Sequence, residues 1–187
     1  MCAVPQPAGL WRWRKGACPA RLFSPAAGGP SMRGEVRLNE AEFWRKVHEV
    51  ARKATWAYLA TTVGDQPKVR VVHPAFEAER LWIATGRSSN KVRQIEKNPK
   101  VELFFHMGPE LVHLTVTGTA RFVDDIEEKK RVWNSKVFDY DLAQFWPGGP
   151  ESPDFGLLLV TPSRVELTTL ADMTQGLKPE VWRPHKS

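Results

Sequence analysis

The densest group of side chains able to do chemistry is Thr85-Gly86-Arg87-Ser88-Ser89-Asn90-Lys91-Val92-Arg93. It follows the apolar run Leu81-Trp82-Ile83-Ala84, turns through a glycine and hydroxyl residues, and opens a helical stretch. Free backbone N–H groups and the helix dipole favour an anion at such a point. Ser89 can cap and donate, and Lys91 supplies a formal positive charge. Arg70, on an earlier strand, could converge from the side and hold a phosphate through two parallel N–H bonds. The same residue types also suit an ordinary serine cap beside solvated bases, and types alone leave both readings open.

The remaining chemistry-bearing residues are sparse. His73, His106 and His113 fall on three separate strands without a His-x-x-x-His spacing, so no metal site is assigned. No Ser-His-Asp or Cys-His pattern is present, and no catalytic side chain is identified. Both cysteines, Cys2 and Cys18, lie near the N-terminus. The body of the chain is therefore neither a disulfide scaffold nor a cysteine-ligated zinc module, and it fits a reducing cytoplasm.

Charge narrows the function further. The net charge is +6, but residues 1–34 hold Arg12, Arg14, Lys15, Arg21 and Arg33 and no acid, leaving the rest at only +1. The basic balance belongs to that extension, so the folded body shows no electrostatic footprint for nucleic acid. Apolar residues make up 42% and charged residues 26% of the chain, the balance of a soluble globular protein. No stretch approaches the ~20 apolar residues of a membrane span. Residues 1–34 are rich in Pro, Ala, Gly and Arg and read as a disordered extension, with Met32 an alternative start. The expected organisation is that extension, a domain over 35–170 and a C-terminal tail over 171–187.

The elements that must position the anion segment follow from periodicity. Asn39 and Glu42 form a capping-box-like start, and Phe43, Val47, Val50 and Ala54 follow at helical spacing, predicting a helix over 40–54. Strands are predicted over 56–63, 69–76, 81–85, 101–106 and 112–123, with a short helix over 91–97 closed by Asn98-Pro99. A third helix is expected over 125–136, with Asp125 and Glu128 as a second capping box. Residues 145–153 hold too many prolines and glycines for regular structure. Residues 156–161 and 165–170 form the last strand region, and no periodicity is evident from about 172. Many short strands with few brief helices predict an antiparallel barrel rather than a βαβ sheet.

The order strand, Thr85, turn, Ser89-x-Lys91, helix, Asn98-Pro99 is similar to the flavin-phosphate segment of pyridoxamine-phosphate-oxidase-like proteins. Val116-Thr117-Gly118-Thr119-Ala120 resembles their Gly-x-Ala strand. The loop Phe145-Trp146-Pro147-Gly148-Gly149-Pro150 resembles that of their general stress protein 26 branch. The resemblance implies a mainly β (α+β), six-stranded antiparallel split β-barrel with short flanking helices. It also implies a homodimer with FMN at the subunit interface and an oxidoreductase or a non-catalytic flavin-binding stress or sensor protein. The same fold can carry F420 or haem instead. By the resemblance, Arg70, Ser89 and Lys91 hold the phosphate, with Asn90 beside them. Thr85 and Gly86 face the ribityl chain or ring, and Val71 and Val72 back the isoalloxazine. His73 stands beside the flavin, and Trp146, or else Trp133, covers it from the partner subunit.

The chain also departs from the oxidases that give the family its name. Their second strand carries a lysine a few residues after the arginine, where this chain has His73-Pro74-Ala75-Phe76. Their substrate-binding Arg-x-His pair is mimicked only by Arg183-Pro184-His185 at the chain end. Oxidation of vitamin B6 is therefore not expected, and the substrate is unspecified.

Overall fold

The computed structural model describes residues 39–107 and 112–185. The expected disordered extension over 1–34 and the Gly108-Pro109 turn lie outside the described residues. Helix α1, Glu40–Ala54, begins as its sequence requires, with the Asn39 side chain accepting from the Glu42 backbone N–H at 2.8 Å. Its 3–4 spacing places Phe43, Trp44, Val47 and Val50 on one buried face. Acids stand in its first turn and Arg52 and Lys53 in its last, the arrangement its dipole favours.

Strands β1 (Ala57–Val63) and β2 (Gln66–Val72) form a hairpin through Gly64. Then come β3 (Pro74–Glu77), β4 (Arg80–Gly86), α2 (Asn90–Lys97), β5 (Lys100–Met107) and β6 (Val112–Phe122). Helix α3 (Ile126–Asn134) and two single 3-10 turns, Leu142–Gln144 and Gly149–Glu151, precede the long β7 (Phe155–Thr168). Helix α4 (Leu170–Gln175) and β8 (Glu180–Trp182) complete the described chain.

All pairings are antiparallel and the strand order is β2-β1-β5-β6-β7-β4-β3, with β8 added to β7. The end strands β2 and β3 do not pair, so the sheet stays open, as a split barrel does. Eight strands replace the expected six for two physical reasons. The stretch expected as one strand over 69–76 breaks at His73, because Pro74 has no N–H to continue β2's ladder and its predecessor is held extended. The chain there leaves one edge of the sheet and starts the other. In the tail, three residues suffice for β8, and Trp182 Nε1 donates to Glu40 Oε1 at 2.6 Å.

The last strand region is continuous rather than split, and it bends at a bulge where β6 shifts register between Thr117 and Gly118. Pro162 lies opposite Gly118, and a Cβ on that glycine would stand 2.4 Å from the Thr161 carbonyl oxygen. Around α3 the cap differs from the expected box. Asp125 accepts from the Glu127 N–H, and Glu128 turns instead to Arg131.

Strands β4 and β7 are covered on both faces. Leu81, Ile83, Leu158 and Val160 belong to the inner core with α1, α2 and the other strands. The alternate residues Trp82, Leu157 and Leu159 pack outward against Val132, Phe138 and Leu142. The buried Trp82 indole donates to Glu77 at 2.8 Å, and Arg131 pairs with both oxygens of the same carboxylate at 2.7 and 2.8 Å. Arg131, then Trp82, hold the Glu77 carboxyl below the usual carboxylate range against an opposing desolvation. A carboxyl depressed in the fold stabilises above its unfolded pKa and loses that contribution as pH falls through its folded value. Because Glu77 is partly exposed, Glu77→Gln is expected to cost only about 1 kcal/mol near neutral pH. Urea denaturation should show the gap between the two proteins closing as the pH is lowered through and below the ordinary carboxylate range.

Candidate anion site

Strands β1, β2 and β4 and the start of helix α2 bring the anion residues together. Arg70 sits on β2 opposite Leu59, so its side chain turns to the inner side of the hairpin. Its guanidinium donates to the Leu59 carbonyl at 3.1 Å, to Thr61 Oγ1 at 2.7 Å and to Gln94 Oε1 at 2.6 Å. Thr61, itself buried, donates to the same Gln94 oxygen at 2.6 Å. These acceptors are neutral, so they orient the arginine without spending its charge.

Lys91, on the first turn of α2, donates to the buried Thr85 Oγ1 at 2.6 Å. Thr85 Oγ1 lies 3.4 Å from Ser89 Oγ. Ser89 occupies the N-cap position of α2, yet its side chain makes no capping bond. Its hydroxyl is thus free of the usual local competitor. No acid stands in the first turn of α2. Among the described residues neither Arg70 nor Lys91 forms an ion pair. Burial lowers the pKa of both, and the nearby Arg70 charge lowers that of Lys91 further. Two converging, partly desolvated cations with no counter-charge make an arrangement that an anion relieves. Lys68, Val69, Arg70, Asn90, Lys91 and Gln94 line a shallow depression of about 470 Å³ at this place.

The other expected residues divide. Gly86 accepts from the Ser89 N–H at 3.1 Å and so closes the turn. The Asn90 side chain accepts from Arg93. Asp154 brings a carboxylate close to Ser88 Oγ, at 3.5 Å, and to the face of Gly86. Arg87, the first charge in the motif, faces away, paired with Glu96 at 2.9 Å and lying over the Phe122 ring. Val71 points outward and is half exposed, whereas Val72 is buried in the inner core and offers a ligand only its backbone. Trp146 and Trp133 both pack on Phe155 in the outer cluster of their own chain. His73 is outward on β2's side, joined to Asp139 at 2.8 Å. His106 and His113 face each other across β5 and β6, on strands other than the one that leads into His73. His185 rests 3.5 Å from Glu40 on α1, so the terminal Arg-x-His pair does not reach the anion residues.

Thr61 and Gln94, which hold Arg70, were not legible as site residues. Gln94 stands one helical turn after Lys91 on the same face of α2, but that spacing alone marks no function.

An open antiparallel barrel with an anion cradle between β2, β4 and the start of α2 defines the class. The chain belongs to the pyridoxamine 5'-phosphate oxidase family, whose model matches residues 43–169. A search of curated proteins found no match. Among solved structures, a Clostridium acetobutylicum protein related to general stress protein 26 aligns with TM-score 0.62 at 18% identity, over 78% of this chain and 96% of that one. General stress protein 26 from Bacillus anthracis gives 0.58 at 23%, over 76% and 99%. An FMN-binding protein from Nostoc punctiforme, related to pyridoxamine 5'-phosphate oxidase, gives 0.53 at 17%, over 79% and 96%. At these identities the likeness establishes the fold.

Proposed function

We propose that this protein binds FMN and acts as an oxidoreductase on a small substrate, as a homodimer in the cytoplasm. One observation carries the reading: Arg70 and Lys91 converge, partly desolvated and without an ion-pair partner among the described residues, beside Ser89, whose hydroxyl makes no capping bond. That donor set suits a phosphate dianion. The family membership and the FMN-binding neighbour make flavin phosphate the natural occupant. Thr85, Gly86 and Asn90 border the cradle, and Val71 and the Val72 backbone flank the ring. Trp146 covers the ring from the partner subunit. The flavin supplies hydride or electron transfer, and the chain supplies binding and orientation.

The outer face of β1 and β2 supports the dimer. Trp56, Tyr58, Val69 and Val71 are each about half exposed, and Tyr58 and Val71 are direct cross-strand partners. Apolar area of this kind, contiguous with the cradle strand, calls for a cover. Among the described residues no helix is long and apolar enough to cross a membrane. We take the domain as residues 35–170 and the tail as 171–187, with α4 beginning at that boundary and β8 lying in the tail.

Flavin fluorescence titration and mass spectrometry of the purified protein test the reading. One FMN per chain is expected, and Lys91→Ala should weaken binding about tenfold through loss of one charge-assisted bond. A protein that ignores added FMN would be incompatible with it. Bound FMN that no nicotinamide donor can reduce would leave binding intact and remove the catalytic half.

A further inference from the structure

A second concave region lies between the C-terminal half of α1, the start of β3 and the loop after α3. Its volume is about 370 Å³, and His48, Arg52, His73, Phe76, Val137 and Asp139 are among its walls. No residue of the anion cradle lines it. Its two histidines are in different states. His48 Nε2 donates to the Ala78 carbonyl at 2.7 Å and ties α1 to the turn after β3. That imidazole is spent on the fold.

His73 is held but open. Its ring stacks on Tyr140 with centroids 4.5 Å apart and lies 5.0 Å from Trp56, the residue just before β1. Its Nε2–H donates to Asp139 at 2.8 Å, and its side chain is only 16% exposed. Nδ1 has no partner among the described residues. With Nε2–H directed to Asp139, Nδ1 is the ring nitrogen left for a ligand hydroxyl. Tyr140 contributes a ring rather than a charge: burial, then Asp139, push its pKa up to about 12.

The charge around the cavity differs from that of the cradle. Arg52 supplies one guanidinium at the rim; its Nε donates to the His48 carbonyl at 3.4 Å, and its terminal amino groups have no hydrogen-bond partner among the described residues. Asp139 stands nearby as an opposing carboxylate. One cation with an acid in the same wall matches a monoanion better than a phosphate dianion. The flat surfaces of Phe76 and the clamped His73 match a planar ring.

We propose that this cavity binds a small aromatic carboxylate carrying a ring hydroxyl. The carboxylate pairs with Arg52, the ring lies along Phe76 and Val137, and the hydroxyl donates to His73 Nδ1. A volume of this size holds one such ring. The site goes beyond the cofactor reading: its walls share no residue with the anion cradle, and only His73 was also expected near the flavin ring.

Calorimetric titration of the full-length protein saturated with FMN tests the assignment, with 4-hydroxybenzoate, benzoate and 4-methylphenol as probes. 4-Hydroxybenzoate should bind most tightly. Arg52→Gln should weaken 4-hydroxybenzoate and benzoate about tenfold and spare 4-methylphenol, as loss of a charge-assisted bond requires. His73→Phe keeps the stacked ring and removes the acceptor, so it should weaken the two hydroxyl-bearing probes about tenfold and spare benzoate. No binding of 4-hydroxybenzoate, no effect of Arg52→Gln, or equal losses for all three probes overturns the proposal. Arg52 lies on the exposed last turn of α1, so its variant decides the matter even where His73→Phe fails to fold. The same probe pattern is expected in an Arg70→Met protein without FMN, which separates failure of this site from failure of the cofactor reading.

Discussion

Replacing Arg70 with methionine is expected to weaken FMN binding about a hundredfold, close to 3 kcal/mol, which is the loss of a doubly bonded, partly desolvated cation–phosphate contact. The effect on the free protein should be much smaller. In the ligand-free fold the guanidinium is a charge drawn out of water and held by neutral acceptors, a state whose cost appears as its lowered pKa. Methionine removes that cost but leaves Thr61 and Gln94 to each other, already 2.6 Å apart. The two terms oppose, so the melting temperature without flavin should move little. The upward shift that FMN gives the parent protein should vanish. Differential scanning fluorimetry with and without FMN reads both quantities. Full flavin occupancy in the variant would show that the phosphate lies elsewhere.

Gly118→Ala should be the most damaging single methyl group in the described chain. Its Cβ would meet the Thr161 carbonyl oxygen at 2.4 Å and Pro162 Cα at 3.0 Å, and both obstacles are backbone. No rotamer change relieves such a clash, so β6 and β7 must separate at the bulge that joins the longest ladder of the sheet. A loss of at least about 3 kcal/mol is expected from overpacking with backbone displacement. Gly64→Ala is the control: its φ of +62° disfavours a side chain, but nothing lies within 4 Å of the added Cβ. Its cost should stay near 1 kcal/mol. Urea denaturation of the three proteins distinguishes crowding from backbone preference, and equal losses at both sites would refute the distinction.

Legibility in the sequence depended on the range of the interaction that set each feature. Local signals carried far: Asn39 capped α1, Asn98-Pro99 closed α2, and the strand–turn–helix order around Thr85 and Lys91 placed those two residues in contact. The break at His73 was less visible, because the apolar run of β2 and β3 continues across Pro74 while their partner strands differ. β8 was hidden by its length, since three residues show no period. Gln94 and Thr61 became site residues only when α2 packed against β1. The pleat of β2, by contrast, needed no long-range information: Val71 and Val72 are successive residues and must face opposite sides.

The junction at His73 has a consequence for how the barrel meets its neighbours. An open sheet has two unpaired borders, each able to recruit another chain. Here those borders, β2 and β3, are consecutive stretches of one backbone with a single residue between them. Neither can be lent to a second molecule without pulling on the other, and a swapped strand has no hinge loop to lengthen. The gap in the barrel is thus bridged by the chain itself, so the two borders are tied to move together and neither is free to swap.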